Sequence, residues 1–213
     1  MPVYFSRRKA VISGIAACTV PIRAFGQQRL KTWSRDNINQ YSQFVPRFVS
    51  TYPSEVECST LALIALVTFA GQNQLPVRLF DHDRAFGRFD RSAGTKRWII
   101  YDPRKDDWKS YRDYIRVQFG ATNVIDNSSK ISATQAGPGD LLMTEYPSGE
   151  YTGHTRVLVE MRYDVSRRDF WTVRYEGSVP AVIPVRKEGW LKDVANLYEN
   201  SPRRWNFAQF NNL

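Results

Sequence analysis

Apolar and polar positions change their period along the chain, and the changes divide it into a helical first part and a strand-rich second part. From Asp36 to Ser50 a mixed polar and apolar pattern predicts a helix, interrupted at Pro46. Pro53 and Ser54 mark a turn, and Cys58 to Phe69 then reads as an apolar helix that stops at Gly71 and Asn73. Two short strands follow, Pro76 to Phe80 and Arg97 to Tyr101, separated by a loop rich in Asp, Arg and Gly. Trp108, Tyr111, Ile115 and Phe119 recur at helical spacing, which predicts a helix from Asp107 to Phe119 with Gly120 as its stop. Beyond a polar loop from Asn127 to Gly137 the period falls toward two. Asp140 to Met143, Thr155 to Tyr163, Phe170 to Tyr175 and Ala181 to Val185 read as antiparallel strands, with turns at Pro147 to Gly149 and Asp164 to Arg168. Helices first and a sheet afterwards is an α+β ordering.

The first 26 residues fall outside this pattern. A basic start (Arg7, Arg8, Lys9), a short apolar run from Ala10 to Ile22 and a small-residue exit at Ala24-Phe25-Gly26 form a bacterial export signal. The paired arginines resemble a twin-arginine signal, which implies export of an already folded protein; ordinary secretion is the alternative. Ile15-Ala16-Ala17-Cys18 also resembles a lipobox, which would make Cys18 an acylated N-terminus. Export places the mature protein in the periplasm or outside the cell. No later stretch has the 18 uninterrupted apolar residues of a membrane span.

Residues 27–213 are enough for one domain with a real core, and no repeat or linker argues for two. The leader carries four positive and no negative charges, so the formal charge falls from +9 to +5 without it. The remaining Lys and Arg are interleaved with Asp and Glu, as in Asp102 to Asp107, and form no concentrated basic block. Nucleic-acid binding is therefore not expected.

Outside the leader the chain has one cysteine, Cys58, at the predicted helix start, and His154 opens the strand-like run Gly153 to Glu160. A thiol at a helix N-terminus with one imidazole elsewhere is the arrangement that a thiolate nucleophile and histidine base require. The helix N-terminus and an imidazolium both favour the thiolate. The other histidine, in Phe80-Asp81-His82-Asp83, has two flanking carboxylates but no further cysteine. A structural zinc site there is not expected, and these charges read as a solvated loop. Asp140 reads as a turn-fixing carboxylate.

Four motifs in order carry a resemblance: Glu57-Cys58-Ser59-Thr60-Leu61, Pro138-Gly139-Asp140-Leu141-Leu142, Gly153-His154-Thr155-Arg156-Val157, and Glu176. They resemble the papain-like cell-wall hydrolases of the CHAP and NlpC type, over roughly residues 50–185. The resemblance implies a cysteine that begins a helix packed on an antiparallel sheet, a histidine on a later strand and a polar third residue on the strand after it. It also implies amide hydrolysis, with peptidoglycan peptides as substrate and no cofactor. Cys58 would be the nucleophile, His154 the acid and base, and Glu176 the residue that orients the imidazole. Tyr41 and Tyr52 are candidate oxyanion donors beside the Cys58 N–H. The chain departs from the family where Glu57 replaces Asp, Thr60 replaces Gly, and the upstream Tyr and Gly-Gly signature is missing.

A second set of cues, Phe89 to Gly94, Tyr111 to Tyr114, Gly120 to Asn123 and Glu176 to Ala181, is similar to an uncharacterised bacterial family related to that superfamily, and brings no activity with it. The alternative to an enzyme is a papain-like binding or assembly module with an inert dyad.

Overall fold

The computed structural model describes residues 30–82, 96–144, 153–194 and 200–213. The leader with Cys18, and the segments holding Asp83, Phe89 to Gly94 and the turn at Pro147, lie outside the described residues. The architecture is α+β. In chain order, helices α1 (Arg35–Thr51) and α2 (Cys58–Asn73) precede strands β1 (Val77–His82) and β2 (Lys96–Tyr101). Then come α3 (Trp108–Gln118), α4 (Ala121–Asp126), β3 (Ser128–Lys130) and β4 (Leu141–Thr144). β5 (His154–Asp164), β6 (Asp169–Glu176), β7 (Val185–Trp190), α5 (Leu191–Val194), β8 (Asn200–Trp205) and α6 (Phe207–Phe210) complete the order.

Helix α2 is apolar all round because it is central: every residue from Cys58 to Ala70 is buried. It ends where Gln74 turns left-handed at φ 57° and the Leu75 N–H donates to the Ala70 carbonyl at 2.9 Å. Helix α1 packs one stripe, Tyr41, Val45 and Val49, into the core. That stripe runs past Pro46, so α1 continues unbroken where the sequence predicts an interruption. Burial of flanking Val45 and Val49 offsets the one backbone hydrogen bond that proline removes. Helix α3 presses so closely on α2 that a Cβ on Gly71 would lie 2.3 Å from Trp108 Cγ.

β1 and β2 form a two-stranded antiparallel sheet. The strand continues through Asp81 and His82, where a loop is expected. Asp81 is buried against Arg97 (3.1 Å) and Asn123 (3.1 Å), a structural role in place of a solvated one. The main sheet has six strands in the order β3-β8-β4-β5-β6-β7, all antiparallel. One face, with Leu141, Met143 and Val157, joins α2 in the core. The seventh strand lies at Val185–Trp190, four residues later than expected, because residues from Ser178 to Val182 instead hydrogen-bond to Val56. Among the described residues no helix is long and apolar enough to cross a membrane.

Candidate active site

Cys58 is the first residue of α2, His154 the first of β5 and Glu176 the last of β6. The fold brings these three ends together. The segment that leads into Cys58 is tied to the segment that leaves Glu176: Val56 and Val182 exchange hydrogen bonds of 2.9 and 3.3 Å, and the Ser178 N–H also donates to the Val56 carbonyl. Gly177 sits in this junction. A Cβ there would stand 2.2 Å from the Val56 carbonyl oxygen and 2.8 Å from the Glu57 carbonyl carbon, so only glycine allows this approach.

Cys58 is 8% exposed and in no disulfide. His154 Nε2 lies 2.9 Å from Glu176 Oε2, which leaves Nδ1 for the sulfur, and the Cys58 thiol and the His154 ring are close enough to shift each other's ionisation. Burial pushes the thiol up. The His154 hydrogen bond, the Thr155 and Ser59 backbone N–H groups and the imidazole charge together outweigh it, and the thiol ends below its ordinary value. Burial likewise pushes His154 down, but its bonds to Cys58 and Glu176 hold it above its ordinary value despite nearby Arg156. Burial would raise Glu176, yet His154, Arg156 and Arg174 keep it below the usual carboxylate value. These shifts share one sense: they favour thiolate, imidazolium and carboxylate together.

No side chain caps the start of α2. Its first N–H groups have no partner within the helix, and the one on Ser59 is among the groups that favour the thiolate. A helix start of this kind attracts an anion, whether thiolate or oxyanion. Tyr41 is not part of it. Its ring is buried among Trp33, Phe69 and Phe207, and its hydroxyl accepts from the Trp205 indole N–H at 3.1 Å. Tyr52 ends α1 with its ring against Phe48. Asp140 accepts from the Gly137 N–H at 2.9 Å, as a turn carboxylate does, and also takes a bidentate pair from Arg204.

Sequence reasoning did not single out Arg156, Thr144, Arg174 or Asn200. Arg156 Nε donates to Glu176 Oε2 at 3.0 Å, and its Nη1 donates to Thr144 Oγ1 at 2.7 Å and Asn200 Oδ1 at 3.2 Å. Strand alternation could have found Arg156, two residues from His154 and on the same face. It could not have found Asn200, whose strand carries no such pattern. Among the described residues no cluster of His, Cys, Asp and Glu could hold a metal.

No family model, curated protein or solved structure matches this chain. The reading of the site rests on its geometry and chemistry.

Proposed function

We propose that this protein is an exported, papain-like cysteine hydrolase that cleaves an amide bond in peptidoglycan peptides. The observation that carries the reading is the meeting of Cys58, His154 and Glu176 at the start of an uncapped helix, with His154 Nε2 2.9 Å from Glu176 Oε2 and the Cys58 thiol and His154 ring shifting each other's ionisation. The Cys58 thiolate attacks the acyl carbon, and the N–H groups at the start of α2 stabilise the oxyanion that forms. The imidazolium of His154 then gives its proton to the leaving amine. In the second half His154 takes a proton from water, which releases the acyl group from Cys58. Glu176 holds Nε2 throughout and fixes the plane of the ring. The leader motifs support action outside the cytoplasm, where peptidoglycan peptides supply abundant unusual amides.

The test is the iodoacetamide alkylation rate of Cys58 between pH 4 and 10, followed by hydrolysis of cell-wall fragments. A thiol that ionises below its ordinary range, and returns toward it in His154→Ala, supports the dyad. Release of amines from the fragments that disappears in Cys58→Ala supports the activity. An ordinary thiol profile in both proteins refutes the reading and leaves a binding module.

A further inference from the structure

The carboxylate of Glu176 has two partners on one oxygen. His154 Nε2 and Arg156 Nε lie 2.9 and 3.0 Å from Oε2. Arg156 is itself fixed at its far end: Nη1 reaches Thr144 Oγ1 on β4 and Asn200 Oδ1 on β8, and Thr144 and Asn200 hydrogen-bond each other. Asn200 is anchored in turn by its Nδ2, which donates to the Val194 carbonyl at 2.7 Å. The register makes this possible, since His154 and Asn200 both stand opposite Thr144, on either side of β4. The side chain is held within the fold, 15% exposed against 18% for Glu176.

We propose that Arg156 is a positioning residue of the dyad: its guanidinium locks Glu176 against the body of the sheet so that Oε2 meets His154 Nε2 in one fixed geometry. This rests on the thiolate–imidazolium reading of Cys58 and His154. A planar guanidinium suits the task, because it bonds the carboxylate with one N–H and the hydroxyl and amide with another, which a lysine ammonium on its flexible stem does not reproduce. Arg156 does not reach the thiol in this arrangement; it acts through Glu176.

The charged groups around the imidazole are Cys58 from α2, Arg156 from β5, and Arg174 and Glu176 from β6, with Lys187 of β7 opposite Arg174. They give the proposal a sign that separates it from a simple charge effect. As a point charge Arg156 disfavours imidazolium, so its removal would raise the pKa of His154. As a positioning residue it secures the Glu176 bond that favours imidazolium, so its removal lowers that pKa.

The experiment is an NMR titration of the His154 ring in the full-length mature protein, assigned with His154→Ala, for wild type, Arg156→Gln, Glu176→Gln and the double variant. The expected result is a lower His154 pKa in Arg156→Gln, and no further lowering when the same change is made in Glu176→Gln. Alkylation of Cys58 at pH 6 should fall about tenfold in Arg156→Gln, the scale of one charge-assisted hydrogen bond, and stay low in Arg156→Lys. Thr144→Val removes one anchor and leaves every charge in place; a smaller shift in the same direction is expected, and this variant carries the test if Arg156→Gln fails to fold. A raised or unchanged His154 pKa, or full recovery in Arg156→Lys, overturns the proposal. An unshifted wild-type thiol overturns it together with the dyad. A shifted thiol without hydrolysis of any cell-wall fragment refutes only the proposed substrate.

Discussion

Gly177→Ala tests how the fold couples to the chemistry. The added methyl group would lie 2.2 Å from the Val56 carbonyl oxygen and 2.8 Å from the carbonyl carbon and oxygen of Glu57, where ordinary contact begins near 3.4 Å. All three are backbone atoms, so no rotamer change relieves the clash, and the two segments must part by about 1 Å. Overpacking of this kind costs about 1–3 kcal/mol. The Val56 carbonyl also accepts from Ser178 and Val182 at 3.3 Å each, and stretching those bonds removes up to about 1 kcal/mol more. The sum is about 1–4 kcal/mol, or roughly 2–16 °C in Tm for a domain of this size. The parting also displaces Cys58 from the His154 and Glu176 pair, and a misplacement of about 1 Å can lower reactivity on the order of a hundredfold. Thermal melting and alkylation at pH 6 read the two effects, since an unperturbed thiol is only about 0.3% ionised there. Gly137→Ala is the control, because a Cβ at Gly137 meets nothing within 4 Å. A Gly177→Ala protein with wild-type Tm and wild-type alkylation would show that the junction does not hold the dyad.

Further outcomes follow from other contacts. Gly71→Ala brings a methyl group within 2.3 Å of Trp108 Cγ, near the root of that side chain, and should cost about 1–3 kcal/mol in urea unfolding, with a change in tryptophan fluorescence. The Cys58 thiol is depressed, so its contribution to stability is complete above the unfolded value of about 8.5 and is lost as pH falls through the folded value. His154 is raised, so its contribution is complete below about 6.5 and is lost as pH rises through its folded value. Urea unfolding repeated across pH reads both signs, and Cys58→Ser should remove the first dependence and weaken the second. Glu176 is depressed, so its contribution is lost as pH falls through its folded value, and Glu176→Gln should remove that acid-side dependence and, by releasing His154, also weaken the loss as pH rises through the His154 value.

Cys58 and His154 were legible as candidates because each sits where a pattern changes. Cys58 follows a proline turn and precedes twelve buried residues, and His154 opens a run of alternating burial. Glu176 was legible from the ordered motifs, although the carboxylate-to-imidazole distance needed the pairing of β5 with β6. Strand β8 was not legible. Its residues, Asn200-Ser-Pro-Arg-Arg-Trp205, contain a proline and two arginines, and nothing in their polarity announces a central strand. Arg203 is buried there because its guanidinium donates to the Ser128 hydroxyl and to the Ile125 and Ser128 carbonyls, partners that only the tertiary fold supplies. The same holds for Asp81, whose inward turn depends on Arg97 and Asn123.

The place of β8 in the sheet sets an order of events during synthesis. It lies between β3 and β4, so β4 has no neighbour on that side until residues 200–205 have left the ribosome. The sheet cannot close progressively behind the emerging chain, and the long-range pairing waits for the last strand. Asn200 belongs to that strand, so the brace on Glu176 through Arg156 is completed in the same step. Any chemistry that depends on this brace therefore waits until β8 has paired with β4.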